Sequence, residues 1–143
     1  IFREWGVKSS GNPYTHAIMR GLQNKHGEMV QNYHYEDLKL LQSLYEERNL
    51  ANPAVVVDTN HCNSGKNHKE QLRIAQEIMH SRKYSQELAN FVKGLMVESY
   101  LVEGACKVEE HIFGKSITDP CIGWEDTVRL ISNVYEYEQQ TKY

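Results

Sequence analysis

At 143 residues and 40% hydrophobic content, the chain is long enough for one domain with a core and too short to suggest two. A formal net charge of −3 and a pI near 6.2 give no electrostatic reason to expect nucleic acid. No run reaches the roughly 18 apolar residues of a membrane span, and no charged-then-apolar signal segment opens the chain. Three cysteines without CxxC spacing, and no Asn-x-Ser/Thr acceptor, point to a reducing, cytoplasmic setting. The first residue is Ile rather than Met, as expected of a chain processed or cut from something larger.

The first apolar run is THAIMR (Thr15–Arg20), read as a strand. YEDLKLLQSLYEERN follows, a helical pattern with Leu38, Leu41, Leu44 and Tyr45 on one face and charges opposite. AVVVDTN (Ala54–Asn60) is continuous and β-branched, as expected of a strand buried on both faces of a parallel sheet. KEQLRIAQEIMHSR is a second amphipathic helix, carrying Leu72, Ala75, Ile78 and Met79. FVKGLMVE (Phe91–Glu98) is the third strand. After a loop, GWEDTVRLISNVYEYEQQ presents Trp124, Val128, Ile131, Val134 and Tyr135 at spacings of three and four. Pro13, Pro53 and Pro120 fall at or outside these boundaries, where proline is tolerated. The order β-α-β-α-β-loop-α implies parallel strands joined by helical crossovers, an α/β fold.

In parallel α/β folds ligands sit at the carboxyl ends of the strands. Those ends are Arg20-Gly21, Asp58-Thr59-Asn60-His61 and Glu98-Ser99, with Lys115, Asp119, Cys121 and Asp126 in the loop before the last helix. A neutral imidazole (His61) and two carboxylates (Glu98, Asp119) suit a divalent Mn, Fe, Co or Zn ion with positions left open for substrate oxygens. The alternative is a solvated rim of polar loop residues. Arg20 ends an apolar strand, and its guanidinium fork matches phosphate or carboxylate unless a neighbouring acid pairs with it. Lys66 and Lys115 each follow a glycine and either face an anion or are ordinary surface lysines. Cys62 adjoins His61, but neighbours on an extended chain point to opposite faces, which argues against a thiol–imidazole pair. Cys106 and Cys121 read as structural or incidental. None of the seven histidines forms an HExxH or HxH pattern, and only His61 occupies a strand end.

Four segments, GNPYTHAIMRG, VVVDTNHCNSGKNHKEQ, GLMVESYLVEGACKV and FGKSITDPCIGWEDT, resemble in order the motifs of the type I 3-deoxy-D-arabino-heptulosonate 7-phosphate (DAHP) synthases. The resemblance runs from about Trp5 to Val134. It implies a (β/α)8 barrel that condenses phosphoenolpyruvate with erythrose 4-phosphate at a divalent metal, opening the shikimate route to aromatic amino acids. On that pattern His61, Glu98 and Asp119 match three metal ligands. Arg20 matches the arginine holding the phosphate of phosphoenolpyruvate, and His61 also lies beside that substrate. Asp58 and Lys66 are lesser candidates for substrate contact or for supporting the ligands.

The departures are equally specific. The family's fourth ligand, a cysteine, and its KPRT-containing segment have no counterpart here, and Cys62, Cys106 and Cys121 are elsewhere. A full barrel needs about 250 residues, whereas this chain resembles only its C-terminal three units, strands six to eight and their helices. The stretch Trp5–Asn12 is shorter than the hairpin many members carry there. The expectation is a portion of the synthase, inactive in isolation, whose bare sheet edges and apolar inner face favour homo-oligomers. The competing readings are a non-catalytic binding module and a different metal-dependent aldolase or hydrolase.

Overall fold

The computed structural model describes residues 3–140. In chain order it contains β1 (Ala17–Met19), the short β2 (Leu22–Gln23) and β3 (Met29–Val30), and α1 (Tyr35–Glu47). Then come β4 (Val55–Asp58), α2 (Gln71–Tyr84), α3 (Gln86–Phe91) and β5 (Val92–Met96). The chain closes with β6 (Val102–Ala105), β7 (Lys115–Ser116) and α4 (Trp124–Gln140).

β4 is the middle strand of a parallel sheet ordered β1-β4-β5, as the β-branched run at Val55–Val57 leads one to expect. Ala17, Ile18 and Met19 pair with Val55, Val56 and Val57, and Val56, Val57 and Asp58 pair with Gly94, Leu95 and Met96. The register shifts between Val55 and Val56, so Lys93 is an extra residue on β5, a bulge on an edge strand. Alternation gives the sheet two unlike faces. Val55 and Val57 are fully buried against the helices, in a core with Met19, Tyr33, Leu38, Tyr45, Ile74, Ile78, Leu88, Phe91 and Val92. On the opposite face Ile18 is 47% exposed and Val56 is half-buried.

Each helix follows from its sequence. The Asp37 carboxylate accepts from the His34 backbone N–H at 3.2 Å, closing the start of α1. Leu38 and Tyr45 then face the core. α2 buries Ile74, Ala75, Ile78 and Met79. Near its end Arg82 ties three elements together: its guanidinium donates to the backbone carbonyls of Ala89 (3.1 Å) and Val92, and pairs with Glu138 of α4 at 2.6 Å. α4 is a helix, as its spacing predicts, but its apolar positions are not all covered. Leu130 is buried and Val134 packs with it against Ala75 and Leu72 of α2, whereas Trp124, Val128, Ile131 and Tyr135 are exposed. The apolar positions of this helix thus form two stripes, and α2 covers one of them. Beside the outer edge of β5, under α4, lies a groove of about 520 Å³ lined mainly by Met79, Val92, Gly94, Leu95, Leu130 and Val134.

Three features were not foreseen. One is the short helix α3, which holds Phe91, read from the sequence as the start of the third strand; the strand begins at Val92. β2 and β3 form an antiparallel hairpin directly after β1. Its turn is built by Asn24, whose Oδ1 accepts from the N–H groups of His26 and Glu28, and by Gly27 at φ +85°. The loop after β5 contains a two-stranded parallel pairing of β6 with β7.

The Glu103 carboxylate ties that loop to the turn just before α2. Glu103 Oε1 lies 3.0 Å from His68 Nε2 and 2.9 Å from Lys69 Nζ. Lys69, and after it His68, hold the Glu103 carboxyl below its ordinary value of 4.5. A depressed carboxylate contributes stability that is complete above its ordinary value and lost as pH falls through the lower, folded value. Protection of the Gly104 and Cys106 amides, taken relative to the intrinsic exchange rate at each pH, should therefore fall as the pH drops below 4.5, and Glu103→Gln should remove that pH dependence of the protection.

Candidate metal centre

The site grows from the end of β4. Asp58 is buried at 1% exposure, and its carboxylate has two internal donors. Oδ1 accepts from the Asn60 N–H at 2.8 Å, and Oδ2 lies 2.7 Å from His61 Nδ1. A carboxylate at Nδ1 holds the proton there and leaves the Nε2 lone pair as the outward donor, the arrangement common to metal-binding histidines. His61 adopts a left-handed backbone (φ +44°), which turns the chain out of the strand. The turn is closed by Lys66 N–H to His61 O at 2.9 Å and Ser64 N–H to Asn60 O at 3.1 Å. The Ser64 hydroxyl donates to Asn60 Oδ1 at 2.8 Å.

His61 Nε2 faces Glu98 Oε1 at 3.9 Å and Asp119 Oδ2 at 3.6 Å. The donor atoms of all three residues lie within 4.8 Å of one another. Donors about 2.1 Å from one ion stand roughly 3–3.5 Å apart, so the donor set fits a divalent ion with modest closure. Glu98 lies two residues past the end of β5, and its side chain is 34% exposed. Asp119 is brought to it by backbone pairing: Ile122 N–H donates to Glu98 O at 2.9 Å, Tyr100 N–H to Ile122 O at 3.0 Å, and Gly104 N–H to Cys121 O at 2.8 Å.

The remaining candidates are distributed around this cluster. Arg20 is exposed, one residue beyond the Met19–Val57 pair, and therefore at the same end of the sheet as His61. It has no paired acid among the described residues, so the salt-bridge alternative lacks a partner. Lys66 is exposed and contributes its backbone to the His61 turn. The Lys115 side chain runs past Gly104. Cys62 abuts Gly21 instead of sharing a proton with His61.

Three residues near the site were not singled out by sequence reasoning as part of it. Cys121, read as structural or incidental, is buried with Sγ 3.4 Å from Asp119 O and 4.0 Å from Glu98 Oε2. Burial pushes its thiol up, and the Glu98 and Asp119 carboxylates add to that. Asn63 is fully buried and staples the strand ends: Nδ2 donates to Met19 O and Asp58 O, and Oδ1 accepts from Asn32 N–H at 2.9 Å. Gln71 is likewise fully buried. Their signal in the sequence is weak, because an isolated Asn or Gln beside a turn looks like a solvated residue until its burial is known.

Comparison with known proteins gives a consistent result. Residues 3–132 match the model of the DAHP synthetase I family. The chain is 40% identical over 131 residues to a Trp-sensitive phospho-2-dehydro-3-deoxyheptonate aldolase from Shigella flexneri, covering 89% of this chain and 34% of that protein. To its namesake from Escherichia coli K12 it is 38% identical over 133 residues, with the same coverage. A solved phospho-2-dehydro-3-deoxyheptonate aldolase from Francisella tularensis SCHU S4 superposes with a TM-score of 0.80 at 28% identity. That match covers 93% of this chain and 37% of the other. The chain thus spans about a third of the length of these relatives.

The approach of β1 to the His61 turn depends on Gly21, which has φ +69°. A Cβ there would lie 2.8 Å from Cys62 Cβ, 2.8 Å from Val30 O and 3.0 Å from Asn63 N. Gly21→Ala combines backbone strain with overpacking and should destabilise the fold by on the order of 3 kcal/mol. Chemical denaturation, compared with Gly11→Ala, where a Cβ meets nothing within 4 Å, measures the packing component of that loss.

Proposed function

The chain belongs to the DAHP synthetase I family, and from that premise we propose that it forms the C-terminal portion of a DAHP synthase barrel, a single partial domain of strands six to eight with their helices. The activity proposed for the whole enzyme is condensation of phosphoenolpyruvate with erythrose 4-phosphate. C3 of the enolpyruvate bonds to the aldehyde carbon, water adds at C2, and inorganic phosphate leaves. The convergence of His61, Glu98 and Asp119 within 4.8 Å carries this reading.

In this reading His61 Nε2, Glu98 and Asp119 hold a divalent metal, one of Mn, Fe, Co or Zn. When bound, the ion supplies Lewis-acid polarisation of the aldehyde oxygen. Asp58 holds the His61 proton on Nδ1, which leaves the Nε2 lone pair turned toward the ion. Arg20, exposed and without an internal acid, takes the phosphate of phosphoenolpyruvate with its guanidinium fork. Holding that group fixes the direction in which C3 faces the carbonyl. Lys66, on the same rim, supplies further positive charge to an anionic substrate.

The 143-residue chain should bind Co²⁺ or Mn²⁺, and His61→Ala should weaken binding at least about tenfold, as removal of a ligand does. Calorimetry with unchanged affinity in His61→Ala would overturn the metal reading. The same chain alone should release no phosphate from phosphoenolpyruvate in the presence of erythrose 4-phosphate, because the cysteine and KPRT-containing segment of the family have no counterpart in it. Turnover by the chain alone would contradict that.

Self-association is part of the proposal. It is supported by the bare edges of β1 and β5, the groove beside β5, and the exposed stripe of Trp124, Val128, Ile131 and Tyr135. Light scattering at micromolar concentration should report a species larger than the 16.6 kDa monomer.

A further inference from the structure

Gln71 is the first residue of α2, yet its side chain is completely buried, an unusual place for an amide. Its oxygen and nitrogen both bond to the backbone of one residue. Oε1 accepts from the Glu98 N–H at 2.9 Å, and Nε2 donates to the Glu98 carbonyl at 2.9 Å. The side-chain amide therefore pairs with Glu98 as a neighbouring strand would, at a point where the ladder with β4 has already ended at Asp58–Met96. The Thr59 hydroxyl lies 3.0 Å from this Oε1 and 3.0 Å from the Met96 carbonyl, and its one proton is shared between the two acceptors. The Glu98 carbonyl also accepts from Ile122 N–H at 2.9 Å.

These contacts join three ligand-bearing segments at one side chain. Thr59 belongs to the turn that presents His61, Glu98 is held directly, and Ile122 follows Asp119 by three residues. We propose that Gln71 is the positioning residue of the centre, fixing the backbone of Glu98 in register with His61 and Asp119. It touches neither substrate nor ion. The inference rests on the reading of His61, Glu98 and Asp119 as metal donors and adds the device that spaces them. Only an amide serves here, because the two Glu98 groups need one acceptor and one donor on the same planar unit. Methionine has similar length but makes neither bond.

The test is a titration of the 143-residue chain with Co²⁺, reading affinity and, at saturation, the visible absorption per bound ion. Wild-type chain should bind, and Gln71→Met should bind about ten- to hundredfold more weakly, the usual effect of losing a group that orients a ligand. Its saturated spectrum should differ in band position or intensity, because Glu98 meets the ion from a displaced backbone. A general loss of stability lowers the fraction folded but leaves the spectrum of bound ion unchanged, so the spectrum separates the two roles. Thr59→Val, which keeps the side-chain shape and removes the hydroxyl shared by Gln71 Oε1 and the Met96 carbonyl, should shift both readouts in the same direction by a smaller factor. It serves as the decisive variant if Gln71→Met does not fold. Wild-type affinity and spectrum in whichever of these variants folds would overturn the role of Gln71 while leaving the metal centre intact. No Co²⁺ binding by wild-type chain, or equal binding by His61→Ala, would overturn the metal reading and this inference with it.

Discussion

The arrangement depends on one constraint, the parallel register of β1, β4 and β5. Because Met19 pairs with Val57, and Asp58 with Met96, all three strands run out at the same level. Every side chain that follows a strand end is then delivered to one side of the sheet. His61 and Glu98 are 37 positions apart in sequence but three and two residues beyond their paired strand ends. A one-residue slip of β5 would reverse the alternation of its side chains and carry Glu98 away from His61.

The end of β4 is also where most of the buried polar residues among those described gather, Ser81 of α2 being the exception. Asp58, Thr59, Asn60, Asn63, Ser64 and Gln71 are all buried, and each has a hydrogen-bond partner among the described residues. Buried polar groups are expensive unless paired, and such networks specify one geometry closely when every member is satisfied. The helix side of the sheet shows the contrast, since Leu38, Ile74, Ile78 and Leu88 give cohesion there without directional demands. Hydrophobic packing makes the scaffold, and amide and carboxylate bonds aim the side chains that the site uses.

How much of this is legible in the sequence follows from the same division. Apolar periodicity locates the three strands and the helices α1, α2 and α4, with ends trimmed by a few residues, because burial of Val55, Val57, Ile74 and Ile78 is what that periodicity encodes, whereas the six-residue α3 is too short to show a period. The strand-end rule and the motif resemblance bring His61, Glu98 and Asp119 together, and the geometry sets them within a few ångströms. The hairpin of β2 and β3 escapes because two-residue strands have no period, although Asn24 and Gly27 carry its turn chemistry. The split of α4 escapes because periodicity marks apolar positions without saying which neighbour covers them. Gln71 and Asn63 escape for a different reason: their value lies in bonds to backbone groups of distant residues, Glu98, Met19 and Asp58, which leave no local pattern.

The position of Gln71 at the very start of α2 has a consequence for motion. Helix ends are the first parts of a helix to open, with free energies well below that of global unfolding. Here the opening end is preceded by the single turn His68–Glu70, capped by the Asn67 side chain. Fraying of that turn would release the amide from Glu98 while the core beneath Ile74 and Ile78 stayed closed. With Gln71 in the spacing role proposed for it, the geometry of the donors follows the opening of one helix terminus, which takes less free energy than opening the core.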